Sequence, residues 1–412
     1  AFVLTLLFAV HPANAQAVAW VPGRNDMLLA LFILASLIFL SDYINNGAQR
    51  PRNFILFVFF FSAALFTKES ALAAAVLIPL FLLAFFDNVK RKDRILIFFA
   101  IAVQSALYLY ARNIALNQGV SNLAQDASYQ LFLRIKHILY YIECAFFPYR
   151  MYLMSSDIKT LALTIVSPFI LLIPLFTAFF FNKVRKKAIA FSLLWFFCFL
   201  APSLMTPYQL LHSHRLYLPL IGIAAAFSEM LYELSKKYDK VIKPLLFLYF
   251  AFFAVFVFYC GVQSAKFENE AVFLANVIDE SPNDFNSNIM VARYWYNKNN
   301  IEKAKEVLGR MRVNYNMEHQ YLIDYYGMQG VILAVEKQYP QAELAFKKVL
   351  LYDAKDETAL RNLANIYYHT RTYSAAQDAL EQLVLANPEN ETYKLMLEEV
   401  KIENKNSGGA VQ

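Results

Sequence analysis

The sequence predicts an all-α protein: a polytopic transmembrane helical domain followed by a tetratricopeptide-repeat α-solenoid. Three observations carry this. Long apolar runs recur through the first two-thirds of the chain, basic residues alternate from loop to loop between them, and a pattern of large and small residues repeats about every 34 positions after Gln263.

The composition is that of a bilayer protein. Hydrophobic residues make up 58% of 412, with 38 Phe and 26 Tyr against 10 Gly, and the mean hydropathy is +0.38. That is too apolar for a soluble chain of this length. The runs cover 2–10, 27–40, 54–66, 71–86, 95–110, 161–181, 188–204, 216–234 and 245–262, which predicts about nine crossings in a membrane domain spanning 1–263. Pro79, Pro168, Pro174 and Pro219 fall in or near these spans, where neighbouring groups can satisfy freed carbonyls. The three cysteines, Cys144, Cys198 and Cys260, have no metal-type spacing and read as small core residues.

Charge sets the topology. One alternate set of loops carries Arg50 and Arg52, then Lys90, Arg91, Lys92 and Arg94, then Lys183, Arg185, Lys186 and Lys187, then Lys236, Lys237, Lys240 and Lys243. The opposite short loops hold only Arg24, Lys68 and Arg215. Basic flanks resist translocation, so the first set is expected in the cytoplasm. This arrangement also absorbs the net charge of +6, and no nucleic-acid surface is called for. Within 112–159, Leu131, Ile135, Ile138, Ile142 and Phe146 recur at helical spacing opposite Gln130, Arg134, His137 and Tyr141. This pattern predicts an amphipathic helix over 129–147 lying along the membrane surface. The competing reading, one more short crossing, inverts the parity of every earlier loop.

The chain begins at Ala1, already inside an apolar run. Ala13-Asn14-Ala15 before Gln16 has the form of a signal-peptide cleavage site but lacks a basic n-region. A fragment with upstream residues missing is the better expectation.

Residues 264–403 read as the repeat domain. One unit has Leu360, Leu363, Ala364, Tyr367, Ala376, Leu380 and Pro388; one period earlier stand Tyr326, Gly330, Leu333, Ala342 and Phe346; a looser, shifted unit has Ala292, Trp295, Ala304 and Leu308. Small residues let paired helices approach and large ones fill the groove, as in tetratricopeptide repeats. Such stacks bind peptides or partner proteins. Residues 404–412 are polar and expected to form a disordered tail.

Ionisable residues at membrane level point to function. Three groups share the side opposite the basic loops: His11 with Arg24 and Asp26; Lys68 and Glu69; and His212, His214, Arg215 and Tyr217. Arg24 offers a planar fork suited to phosphate, and Asp26 can orient it or handle a proton. Lys68-Glu69 also fits a plain surface ion pair. His212 and His214 have a metal-like i, i+2 spacing but no third ligand nearby, so a divalent metal is unsupported. Convergence of Arg24, Lys68 and Arg215 suits a lipid-linked phosphate.

The stretch from His11-Pro12 through Gln16-Ala17-Val18-Ala19 to Gly23-Arg24-Asn25-Asp26 resembles the "HPxxxEAVAxxxGRxD" signature of transmembrane and tetratricopeptide-repeat proteins, a family of GT-C-type glycosyltransferases. Thr67-Lys68-Glu69 resembles that family's short Lys-containing turn, and Arg215-Leu216-Tyr217-Leu218-Pro219 resembles its "RYLYLPSIG" segment. The order of membrane part and repeats also agrees. Gln16 stands where the family usually has Glu, and Asn25 where Ala or Lys is common.

The resemblance implies transfer of a sugar, often mannose, from a polyprenyl-phosphate donor to a protein hydroxyl on the extracytoplasmic side. His11, Arg24, Asp26, Lys68, Glu69, His214, Arg215 and Tyr217 would bind the donor phosphate or shape the site. The catalytic acid is expected upstream of Ala1, with no cofactor beyond the lipid-linked sugar. The implied setting is an integral membrane protein, in the bacterial inner membrane, with periplasmic repeats meeting an acceptor protein. The alternatives are a non-catalytic membrane scaffold whose repeats recruit a partner, and a polysaccharide ligase or polymerase.

Overall fold

The computed structural model describes residues 2–46, 51–116, 127–149, 151–153, 162–180, 185–204, 211–237, 239–313 and 319–408. Arg50, Lys183, residues 117–126 and 154–161 of the long stretch, the turn 205–210 and the tail residues 409–412 lie outside them. The described residues are helical throughout, with no strand. They form two compact units, Ala1–Glu280 and Ser281–Gln412.

The first unit contains α1 (Phe2–Ala9), α2 (Ala13–Ala19), α3 (Arg24–Asn46), α4 (Pro51–Thr67), α5 (Leu72–Phe85), α6 (Arg91–Leu116), α7 (Ala127–Phe146), α8 (Ala162–Phe180), α9 (Lys186–Leu204), α10 (Tyr217–Lys237), α11 (Asp239–Ala265) and α12 (Glu270–Glu280). Among the described residues, six segments are long and apolar enough to cross a membrane: Val21–Asn45, Arg91–Ala115, Leu163–Phe180, Lys186–Leu204, Ser213–Lys236 and Phe247–Ala265. Pro51–Thr67 and Glu69–Phe85 are shorter apolar helices, and α1 is a shorter piece still. Nine apolar runs are therefore present as helices, and six of them reach spanning length.

The bundle packs bulky residues on both its inside and its outside. Phe57, Phe61, Leu65, Leu77, Ile78 and Leu82 are fully buried, whereas Phe169, Phe176, Phe179, Phe247 and Phe258 face outward. Outward apolar faces of this extent are compatible with insertion into lipid. Gly222 allows a close approach of α10 to α9, because a Cβ there would run into the Ser192 carbonyl. Pro168 cannot donate to the Thr164 carbonyl one turn back; the Ser167 hydroxyl donates to that oxygen instead, at 3.4 Å.

One expected boundary moves. The first unit extends past residue 263, because Lys266 pairs with Glu280 at 2.6 Å and Glu280 accepts the Leu153 N–H at 2.8 Å. Residues 264–280 thus belong with the bundle. α7 forms over the expected range and buries more than one stripe: Ile142 is buried and Ile138 and Phe146 pack against the core, His137, Tyr140 and Tyr141 are buried as well, and Ile135 is half exposed.

The second unit stacks α13 (Phe285–Asn297) on α14 (Ile301–Arg310), α15 (His319–Val335) on α16 (Tyr339–Tyr352) and α17 (Glu357–His369) on α18 (Tyr373–Ala386), with α19 (Glu391–Gly408) last. Each pair turns through one left-handed residue: Asn299, Lys337 and Arg371, at φ 56°, 60° and 61°. The last two stand one 34-residue period apart, and Asn299 precedes Lys337 by 38, which accounts for the shifted first unit. Asp284, Asn300 and Asp356 cap the helices that follow them. Gly330 admits the Phe346 ring, which a Cβ would meet at 2.8 Å. Residues 404–408, expected in a disordered tail, continue α19, with Asn404 donating to Gln377 at 3.0 Å.

Candidate functional site

Three irregular backbone segments of the first unit meet. The first runs from His11 to Asp26. α2 ends at Trp20, whose extended backbone (φ −88°, ψ 119°) leads into a 3-10 turn, Val21–Gly23. Gly23 is required there, because a Cβ would lie 2.7 Å from the Gln16 carbonyl. The second is Lys68, extended between α4 and the turn Glu69–Ala71. The third is His212, extended ahead of the 3-10 turn Ser213–Leu216.

Asp26 is the meeting point. It is 5% exposed, and Lys68 Nζ donates to both of its carboxylate oxygens at 2.8 Å. His214 Nε2 stands 3.7 Å from Asp26 Oδ2. Arg215 lies within electrostatic reach of Asp26, His137, Tyr141 and His212, and its Nη1 donates to the Ser203 carbonyl at 3.1 Å. Glu69 pairs with Arg112 at 3.7 Å on the more open side. Among the described residues, no hydrogen-bond partner meets the buried His214 Nδ1 or His137 Nε2.

Gln16 holds the third segment against the first. Its Oε1 accepts from the Ser213 hydroxyl at 2.8 Å and from the His214 N–H at 3.1 Å. Its Nε2 donates to the Leu153 carbonyl at 3.1 Å. A glutamate could accept the first two bonds but could not donate the third. Trp20 completes the scaffold, stacked on His212 at 5.6 Å and nearly parallel to Phe273 of α12 at 6.3 Å.

The remaining candidates lie elsewhere. His11 is buried with both nitrogens engaged: Nδ1 accepts the Ala13 N–H at 3.2 Å, which leaves Nε2 to donate to the Ala145 carbonyl at 3.2 Å. Its ring meets Phe256 edge-on at 4.8 Å, beside an apolar cavity of about 300 Å³. Arg24 is exposed and donates to the Val18 carbonyl at 3.3 Å. Tyr217 packs against Phe8 at 5.3 Å. The structure thus brings Asp26, Lys68, His214 and Arg215 together, sets Glu69 at their edge, and leaves His11, Arg24 and Tyr217 in separate contacts.

Burial keeps the imidazoles neutral. It lowers His11 to about 4, partly offset by the bond to Ala145. Burial, then the charge of Arg215, lowers His212 to about 3. Burial, followed by Lys136 and Arg215, lowers His137 to about 4. Burial also raises the Tyr141 phenol. Net positive charge therefore comes from Lys68, Arg112 and Arg215, countered by Asp26 and Glu69, beside neutral imidazoles. Three positive charges against two negative ones leave the cluster with one positive charge in excess. Among the described residues, no group of three His, Cys, Asp or Glu side chains is placed to hold a metal ion.

Residues 333–399 match the tetratricopeptide repeat family. That match runs from the end of α15 through α16, α17 and α18 into the start of α19 and supports a protein-interaction role for the second unit. No curated protein matches the chain.

Gln16, Trp20, His137 and Tyr141 are the site's further members. Gln16 and Trp20 sit inside the His11–Asp26 motif, and the two α7 residues lie on its polar stripe. That stripe was the one available signal for them.

Proposed function

We propose that the protein is a membrane glycosyltransferase that takes a sugar from a polyprenyl-phosphate donor and passes it to a protein hydroxyl on the extracytoplasmic side. The observation that carries this reading is the convergence of Asp26, Lys68, His214 and Arg215 from three separated segments. In this reading Lys68 and Arg215 hold the donor phosphate and stabilise it as it leaves. Asp26 orients Lys68, and Arg24 fixes the start of α3. An acceptor oxygen attacks the anomeric carbon in line, with a carboxylate taking its proton. The repeats present the acceptor protein. The charge alternation of the loops supports placing the site and the repeats outside the cytoplasm, with the bacterial inner membrane as the setting.

The test is sugar transfer from a polyprenyl-phosphate sugar by the full-length protein in liposomes. Lys68→Ala and Arg215→Ala are expected to lose transfer by 100-fold or more, roughly the effect of removing one charge-stabilising donor, while Arg24→Ala loses less. Wild-type rates in Lys68→Ala and Arg215→Ala would sink the assignment.

A second reading has one observation in its favour. Lys68 and Asp26 saturate each other, and the polar atoms of His11 and the amide of Gln16 are consumed in structural bonds. These contacts suit a scaffold whose membrane part anchors protein-binding repeats. No transfer by the full-length protein, together with partner capture that depends on residues 281–408, selects it.

A further inference from the structure

A second polar feature lies away from the Asp26 group, where α9 begins and α10 approaches its last turns. Glu229 of α10 is buried. Arg185, just ahead of α9, donates to its two carboxylate oxygens through Nε, at 2.7 Å, and through Nη2. The Arg185 side chain is nonetheless 70% exposed, and its Nη1 edge makes no bond among the described residues. A carboxylate held below a guanidinium in this way fixes the outward edge of the fork in one orientation, which is the arrangement that receives a phosphate. Lys186 and Lys187 follow directly, both exposed, and neither is in an ion pair among the described residues.

This polar rim opens onto a cleft of about 510 Å³ between α1, α3, α9 and α10. Its wall is apolar, with Leu4, Phe8, Ile221 and Ala225 among the lining residues, and Arg185 and Glu229 close its polar end. One site therefore combines a slot between apolar helices, a guanidinium with a free edge, and two adjacent ammonium groups at the level where a spanning helix leaves the hydrocarbon. Chain and headgroup demands meet in a single ligand class.

We propose that this cleft binds an anionic glycerophospholipid. One acyl chain lies along Leu4, Phe8, Ile221 and Ala225, and the phosphate is held by Arg185, Lys186 and Lys187. The inference depends on the bundle standing in a bilayer and is independent of any sugar transfer.

The experiment uses the full chain purified in detergent. Native mass spectrometry and thermal melts are run with palmitoyl-oleoyl phosphatidylglycerol and with the phosphatidylcholine of the same chains. Phosphatidylglycerol is expected to give the more persistent adduct and the larger rise in melting temperature. In Lys186→Ala/Lys187→Ala the preference should fall by about tenfold or more, since each basic group at an anionic headgroup contributes roughly a fivefold factor. In Ala225→Phe, which fills the slot, adducts of both lipids should drop. Lys90→Ala/Lys92→Ala, in another basic loop, should retain the preference. A preference that survives the 186/187 change, or adducts unchanged by Ala225→Phe, overturns the site. So does glycerophosphoglycerol, the headgroup without chains, competing as well as the lipid. A chain that stays monodisperse without detergent overturns the membrane reading itself, which separates that failure from failure of the cleft.

Discussion

Lys68 reaches Asp26 across 42 positions of chain and places its ammonium 2.8 Å from each carboxylate oxygen. The carboxylate is buried and the ammonium mostly covered, so neither partner can be deleted without stranding the other's charge. Asp26→Asn and Lys68→Met are each expected to cost about 3 kcal/mol, and the double substitution less than their sum. Thermal melts of the four proteins in one detergent give the coupling. Strict additivity would mean that the pair contributes nothing jointly.

Gln16 serves three partners at once. Gln16→Ala leaves the Ser213 hydroxyl, the His214 N–H and the Leu153 carbonyl short of a bond, with an expected loss on the order of 2–4 kcal/mol. Gln16→Glu keeps the two accepted bonds and sets a carboxylate against the Leu153 carbonyl, so it should fall between wild type and alanine near neutral pH. Protonating that carboxylate restores a donor. The Gln16→Glu deficit should therefore narrow as pH falls toward 5, and a deficit that widens contradicts the assigned geometry.

His212 carries a pH signature. Its folded value, about 3, lies below the ordinary histidine value of about 6.5, so acid favours the unfolded chain, which takes up the proton more readily. The stability contribution of neutral His212 is complete above about 6.5 and is lost progressively as pH falls from there toward about 3. His212→Gln is expected to flatten the decline in melting temperature between pH 7 and pH 4 relative to wild type. Parallel curves would show that His212 titrates normally.

Two glycines make opposite demands on their neighbours. A Cβ at Gly222 meets backbone, 2.3 Å from the Ser192 carbonyl and 2.9 Å from the Phe196 nitrogen. At Gly330 it meets only the outer edge of the Phe346 ring. Gly222→Ala should force α9 and α10 apart and cost more than the roughly 1–3 kcal/mol expected of overpacking at Gly330→Ala. Phe346→Leu should recover part of the Gly330→Ala loss, whereas Ser192→Ala should recover none of the Gly222→Ala loss, because the clash is with main chain. Melts of the full chain decide both.

Much of this architecture is legible in the residues alone. Apolar runs, basic loops and the spacing of Gly330, Ala364, Ala342 and Ala376 are local signals, and local signals survive without coordinates. The burial of α7 was only partly legible. Periodicity locates an apolar stripe, and Ile138, Ile142 and Phe146 of that stripe do meet the core, but His137 and Tyr141 opposite them are buried too while Ile135 is exposed. The boundary after residue 263 also misled, since α12 has the mixed charge of a soluble helix yet is tied back through Glu280 to Leu153 and Lys266. Asp26, Lys68, His214 and Arg215 were readable as a group because all four fall in the segments that alternate with the basic loops. The separate duties of His11 and Arg24 were hidden, because main-chain carbonyls leave no trace in a sequence pattern.

The partners of the segment from His11 to Trp20 impose an order in time. His11 bonds to a carbonyl 134 positions later, Gln16 to one 137 later and to groups 197 and 198 later. While the chain is being made, these polar residues wait through several further helices before anything arrives to satisfy them. Assembly of this part of the bundle is therefore a late event that seals an earlier segment, and lesions at Leu153 or Ser213 should appear in cells as a His11–Trp20 segment open to protease.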